Sequence, residues 1–414
     1  MHTGKREVNS GYQLYVEKIS KQGQNKLSRP KQIASHITHA LKVVLCIPLY
    51  ASFVILSTAV ISYAYIYIVC SGRKASSSAQ AIKYIKRFAP IYPFHLYPLV
   101  AKSLEMYYLC DIIRVQHAPL VFEVAIGDGY LSKSIFGATE VFGFDINPYS
   151  LDKADGKHIR QKVVANCLRL PVMPHSGATL VANNLMHHIT DKSTAISDWA
   201  GKVGRLVFNE NTIYWATSWP LAALAKSIGL TKTADEIVQQ INNTNMQTLL
   251  SKPELDTLVS RLTGPCKTYS YYSQKVHTIS LLYSCLFTAF IQPCYGPPTP
   301  AVFKRVIEYF PPVEKLTHYL TELVAAALIR LDAIEERDKD VFVHYDCKGL
   351  CTQIQDVKEA VLSCPDCMSP LHGQDCPKCS RHFQVINGML FLCDEAVASN
   401  YTPEASASIP KHHL

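Results

Sequence analysis

No Asp, Glu, Lys or Arg occurs between Val43 and Cys70, a run of 28 residues. A helix rises about 1.5 Å per residue, so the run exceeds the roughly 20 residues that cross a bilayer core. A buried core helix is the competing reading, but one of this length would ordinarily keep a polar face. Membrane insertion is therefore expected for 41–72. Pro48 stands near the start, where it would kink the helix or open a re-entrant hairpin. A secretory signal is also lacking, because the apolar run starts late and is long. Acids are missing between Ser71 and Pro90, where Arg73, Lys74, Lys83, Lys86 and Arg87 stand. Residues 1–40 form a basic tail with seven Lys or Arg against Glu7 and Glu17. The net charge of +8 thus flanks one apolar run. That fits anionic lipid headgroups rather than a nucleic-acid groove, with a generally basic surface as the plainer alternative.

A disulfide framework is not expected either, despite fourteen cysteines. Cys46, Cys70, Cys110 and Cys285 lie in apolar runs, where a thiol acts as a small hydrophobe. A reducing compartment follows, with Cys347 and Cys351 read as plain thiols. Four others differ. Cys364-Pro365-Asp366-Cys367 and Cys376-Pro377-Lys378-Cys379 are two C-x2-C pairs with eight residues between them. Four thiolates from two knuckles suit a closed, structural Zn2+ site, redox chemistry being the alternative. So small a domain buries little core, and the metal would supply folding free energy. Phe383 to Leu392 reads as strand–turn–strand. The organisation expected at this end is a zinc ribbon over 350–395 and a disordered tail over 396–414.

Between these ends the chain alternates. Residues 73–118 read as amphipathic entry helices, with Tyr92, Tyr97, Leu104 and Tyr108 at helical spacing. They would cover a cleft, or set Tyr107 and Tyr108 at a membrane interface. Strands are expected at Val121–Ile126, Val141–Phe144, Lys162–Val164, Ala178–Ala182 and Arg205–Phe208, then at Lys267–Tyr272 and Val341–Tyr345. Such alternation implies a parallel α/β sheet with ligands beyond the carboxyl ends of its strands. The first strand carries Glu123 and ends in Gly127-Asp128-Gly129-Tyr130; the second ends at Asp145. Glycine permits positive φ and close approach of a ligand to the main chain, and an acid after the second strand can hold ribose hydroxyls.

This strand, turn and acid resemble the cofactor site of class I S-adenosylmethionine-dependent methyltransferases. The resemblance covers roughly residues 119 to 212, and implies a Rossmann-like, seven-stranded methyltransferase sheet over 119–349. It carries S-adenosylmethionine to Glu123, Gly127, Asp128, Gly129, Asp145, Asn166 and Asn183. Asn166 stands where the family commonly has Asp, and Tyr130 where some members have a third Gly. Leu185-Met186-His187-His188 resembles the motif after the fourth strand. His188, His187 and Glu210 are the catalytic candidates; each His reads equally as a packed helix-start residue. A helical insertion over 214–310 is the expected substrate cap. Within it Val276–Ile291 is either a buried helix or a shallow membrane contact. The knuckles with their hairpin resemble the small zinc-ribbon activators of RNA and translation-factor methyltransferases.

The function expected is a membrane-associated methyltransferase for a lipid-linked, glycan-precursor or other hydrophobic acceptor. Its partners are the lipid bilayer and that substrate rather than nucleic acid. A cytosolic cofactor places the catalytic domain on the cytoplasmic side. A single span would then put the tail across the membrane, whereas a hairpin would return it. Two alternatives stay open. One is an RNA or protein methyltransferase docking through the ribbon; the absence of an Asn-Pro-Pro-Tyr-type motif speaks against amide or base nitrogen. The other is a non-catalytic membrane scaffold of the same fold.

Overall fold

The computed structural model describes residues 51–73, 77–92, 96–136, 140–154, 156–217, 229–244, 249–295, 311–335, 337–352 and 362–393, with positions 219, 222, 225, 226, 398, 399 and 401. The basic tail 1–40, the start of the membrane run with Pro48, and most of the tail 396–414 lie outside the described residues. The chain divides into two compact units, residues 1–56 with 287–309 and residues 57–286 with 310–414. In the first unit the described residues are two helical pieces, 51–56 and 287–295. The second holds the sheet.

Helix α1 (Ala51–Ser71) is 21 residues long and uncharged. Its side chains stay largely outside: Tyr65 is 69% exposed, Ile66 60% and Val69 61%. After it come a short helix (Ile85–Phe88) and α2 (Leu96–Tyr107). Leu96, Leu99, Val100, Leu104 and Met106 of α2 are buried. Tyr107 and Tyr108 are buried too, which removes them from any membrane interface.

Strands β1 (Leu120–Val124), β2 (Glu140–Asp145), β3 (Gln161–Ala165), β4 (His175–Asn183) and β5 (Val203–Asn211) are parallel neighbours in the order β3-β2-β1-β4-β5. Strands β6 (Lys267–Ser273) and β7 (Asp340–Lys348) extend the sheet beyond β5, and β7 runs antiparallel to both its neighbours. All seven strands stand where the alternation places them. Buried on both faces, β1 is a continuous apolar run broken only by Glu123. Helices α3 (Tyr130–Ile135) and α4 (Lys192–Lys202) follow β1 and β4. Asp191 caps α4 by accepting the Thr194 N–H at 3.0 Å. Trp199 of α4 is fully buried and donates its ring N–H to the Cys167 carbonyl at 2.7 Å. The insertion 214–310 is not purely helical, since β6 lies within it between α5 (Lys252–Thr263) and α6 (Gln274–Tyr295). Helix α7 (Pro311–Asp332) then leads to β7. Of the second apolar run, Val276, His277, Leu281 and Tyr283 are buried, while Leu282 is 45% exposed.

Two expectations are corrected. The sheet has nine strands among the described residues, not seven. The C-terminal hairpin, β8 (Val385–Ile386) and β9 (Met389–Leu392), joins it, with β9 parallel to β3. An open edge at β3 would leave a row of unpaired N–H and C=O groups, and β9 satisfies them. Alternation along β9 serves both faces. Leu390 and Leu392 enter one apolar core, together with Cys364, Cys376 and Phe383, and Met389 and Phe391 enter the other. All four β9 side chains are buried, each contributing about 1.5–3 kcal/mol. The ribbon is therefore part of the sheet's core and not a separate body. Second, Cys347 is no plain thiol: it forms a disulfide with Cys266, their Cα atoms 4.4 Å apart. Pairing of Lys267 with Asp346 sets the two cysteines opposite each other, across 81 residues of sequence. Cys351 is a free, buried thiol as expected.

Candidate active site

The turn after β1 drives three alternate residues through positive φ: Ala125 at 52°, Gly127 at 57° and Gly129 at 74°. The Ile126 N–H donates to the Phe144 carbonyl at 3.1 Å, tying the turn to β2. The two glycines serve different ends. A Cβ at Gly129 would come within 3.1 Å of the Ala154 Cβ, so this position is bare for packing. A Cβ at Gly127 would meet nothing within 4 Å, so main chain lies open there. Asp128 accepts the Tyr130 N–H at 3.2 Å as α3 begins.

Asp145 closes this cradle. Its Oδ2 accepts the Gly127 N–H at 2.9 Å and its Oδ1 the Asn147 N–H at 2.8 Å. Each oxygen keeps acceptor capacity for a hydroxyl. Burial raises the Asp145 pKa above the usual carboxylate value, though these N–H groups oppose the shift. Asn166, at the end of β3, uses its side-chain oxygen to cap the next turn, accepting the Leu168 N–H at 3.0 Å. An open main chain, an acid fixed beside it and an Asn on the adjacent strand fit a nucleoside with an amino-acid tail. Glu123 stands apart. It is buried and accepts a short hydrogen bond from the Ser132 hydroxyl, bracing α3 against β1. Burial raises its pKa to about 8.

At the ends of β4 and β5 a chain of hydrogen bonds crosses to α2. Lys102 Nζ lies 2.9 Å from Glu105 Oε2, and Asn183 Nδ2 donates to Glu105 Oε1 at 3.0 Å. Asn209 Nδ2 donates to Asn183 Oδ1 at 3.0 Å, and the Tyr271 hydroxyl to Asn209 Oδ1 at 3.2 Å. Burial works against the Lys102 ammonium, but the charge and hydrogen bond of Glu105 outweigh it and raise its pKa. Lys102 also stands 5.2 Å from the centre of the Tyr130 ring, which links this chain to the glycine turn. Of these residues only Asn183 is picked out by sequence. Lys102 and Glu105 are three apart on an otherwise apolar helix, hence on one face, and that spacing is the available signal.

His187 and Glu210 form a separate pair, Nδ1 to Oε1 at 2.5 Å, both buried. The same Glu210 oxygen accepts the Asn211 N–H at 2.8 Å. Asn209 and Glu210 are successive in β5 and leave opposite faces, so this pair sits across the sheet from the Asn183 chain. It holds the Met186–His188 turn in place. His188 is exposed, its ring centre 4.1 Å from that of His187. Partial burial, followed by the neighbouring His187, lowers its pKa. Of the three candidates it alone is open to a substrate.

The four ribbon cysteines converge as their spacing requires. The Sγ atoms of Cys364, Cys367, Cys376 and Cys379 lie within 4.8 Å of one another. Zn–S bonds of about 2.3 Å would set tetrahedral sulfurs just under 4 Å apart, so the set fits that ion. The residue after each pair, Met368 and Ser380, takes positive φ, and the two knuckles turn alike.

Residues 122–203 match the family model described as a methyltransferase domain. No curated protein matches the chain. Among solved structures, one chain comes from the complex between the Haloferax volcanii Trm112 methyltransferase activator and its proposed methyltransferase. It shares 14% identity, with 46% of this chain and 76% of that chain covered, at a TM-score of 0.31. Geranyl diphosphate C-methyltransferase from Streptomyces coelicolor A3(2) shares 14% identity, with 61% of this chain and 82% of that chain covered, at a TM-score of 0.34. The matched segment, 122–203, runs from β1 to the start of β5 and contains the glycine turn and Asp145; it is a methyltransferase domain, and the chain is an S-adenosylmethionine-dependent methyltransferase.

Proposed function

We propose that this methyltransferase is held at a membrane and methylates a lipid-linked, glycan-precursor or otherwise hydrophobic acceptor. The observation that carries the reading is α1: 21 residues without a charge, its apolar side chains largely left outside, on a chain that also carries a methyltransferase domain. Apolar surface of that extent is unfavourable in water and favourable in lipid. The catalytic unit would face the cytoplasm, where its cofactor is found. A tag at Met1 that resists protease in sealed vesicles would require a single span; a cleaved tag is expected of a hairpin.

When bound, S-adenosylmethionine supplies an electrophilic methyl group. The main chain of Gly127–Gly129 would hold its methionine part, Asp145 its ribose hydroxyls and Asn166 its adenine. Asn183, fixed by Glu105 and Asn209, would order the floor beneath the reacting atoms. Transfer forms a bond from the acceptor atom to the methyl carbon and breaks carbon–sulfur, leaving S-adenosylhomocysteine. A hydroxyl acceptor also gives up a proton, and His188, the exposed imidazole of the three candidates, would be the group to take it. Unchanged turnover of His188→Ala at saturating acceptor would remove that role. Zn2+ on the four thiolates would be structural, since a closed set leaves no open position.

Membranes containing the protein should transfer labelled methyl from S-adenosylmethionine into the lipid extract. Label confined to RNA or protein would overturn the acceptor class and favour docking through the zinc ribbon. No label anywhere, with cofactor bound, would favour the scaffold.

A further inference from the structure

We propose that a groove between α1 and α6 binds a phosphate-bearing amphiphile, its headgroup against three lysines and its hydrocarbon along an apolar wall. This rests on the membrane reading above. The groove has a volume of about 780 Å³ and is shallow and widely open. Ala59, Val60 and Leu282 line its apolar part, and Lys226, Lys275 and Lys339 its cationic part.

The order of these groups along the helices is what identifies the ligand. Ser57 hydrogen-bonds Tyr283 at 2.9 Å, and the Lys275 ammonium lies 3.4 Å from the centre of the Tyr67 ring. The two helices therefore run antiparallel. Lys275 stands at the Tyr67 level, and Ala59, Val60 and Leu282 lie toward the other end. An ammonium is costly in hydrocarbon, so the Lys275 level must be the headgroup level. Tyr63, Tyr65 and Tyr67 are each more than a third exposed there, as in an interfacial aromatic belt. Val60 lies about 10 Å along the helix from Tyr67, which sets the apolar wall at acyl-chain depth. Among the described residues the charge is only partly balanced. Lys275 pairs with Glu335 at 3.0 Å. Lys226 and Lys339 are exposed, and among the described residues no carboxylate pairs with either. Asp338, beside Lys339 in sequence, does not line the groove. Two ammoniums with no carboxylate partner among the described residues, in the lining of a groove that also has an apolar wall, suit a lipid phosphate; a neutral lipid would leave them unpaired, and a free anion would leave the wall uncovered.

The groove adjoins the catalytic end of the sheet. Thr217 lines it, accepts the Gln274 side-chain N–H at 3.0 Å, and lies six residues beyond the end of β5. A carrier lipid seated here would have its head beside the insertion that follows the strand.

The full-length protein, purified in neutral detergent, should be offered dioleoyl phosphatidate, dioleoylglycerol and inorganic phosphate. Wild type should retain phosphatidate about tenfold over dioleoylglycerol, and Lys226→Glu with Lys339→Glu should abolish that preference. S-adenosylhomocysteine binding should be unchanged in the double variant, which reports its folding; should it be lost, Lys226→Gln with Lys339→Gln takes its place. Equal retention of the two lipids, or equal retention of phosphatidate by wild type and variant, would overturn the proposal. Displacement of the lipid by millimolar inorganic phosphate would overturn it as well, leaving a plain anion site. Carbonate extraction of cell membranes separates the two readings. Release of the protein would overturn the membrane reading and this site with it. Retention without phosphatidate preference would overturn this site alone.

Discussion

Glu123 is a carboxyl enclosed by β1 and α3, and its proton links the packing beside the glycine turn to pH. Burial raises its pKa from 4.5 to about 8, so across that interval the folded state binds a proton the unfolded chain does not. Its contribution to stability is full below the unfolded value and is lost as pH rises through the folded one, at up to about 1.4 kcal/mol per pH unit. Glu123→Gln should flatten this slope and unfold at higher temperature than wild type at pH 9; equal melting profiles from pH 5 to pH 9 would contradict the assignment. Gly127 gives a second outcome. A methyl group there meets no protein atom but enters the open cradle. Gly127→Ala should cost about 1–2 kcal/mol of stability for its positive φ. It should weaken S-adenosylhomocysteine binding by about tenfold or more, and unchanged affinity would show that nothing lies against the turn. Glu123, the glycines and Asp145 are legible in sequence because strand ends and turns are local features. Ala125 is not, since nothing in its chemistry announces positive φ, and Glu105 acquires its partner Asn183 only when α2 meets β4.

At the scale of elements, β9 and the knuckles form one structure. Cys364 and Cys376 lie in the same apolar core as Leu390 and Leu392. Loss of the metal should therefore release β9 and expose the edge of β3. Cys364→Ser should reduce bound zinc from one equivalent to below half, lower the melting temperature and promote aggregation. A variant that keeps its melting temperature without zinc would show that the ribbon folds independently of its metal. The knuckles and the strand–turn–strand after them follow from short spacings and are readable directly. Their docking on β3, and the Cys266–Cys347 disulfide, depend on residues far apart in sequence, which the identity of either partner does not reveal. The strands at the centre of the sheet, β1 above all, are readable because parallel strands buried on both faces stay largely apolar.

Across the whole molecule, an uncharged helix belongs to the same chain as a methyltransferase domain, in which α2 is tied to the ends of β4 and β5 by the Glu105–Asn183–Asn209 hydrogen bonds. Length and composition made α1 legible, whereas its acceptor and topology depend on what surrounds it in the cell. The enzymatic reading itself depends on the cradle formed by Gly127 and Asp145. Isothermal calorimetry of the purified full-length protein with S-adenosylhomocysteine, beside Asp145→Ala, tests it most directly. The account predicts one site per chain in the wild type and an affinity about tenfold or more lower in the variant, the worth of a charge-assisted hydrogen bond to ribose. No heat of binding in the wild type, or equal affinity in the two proteins, would contradict it.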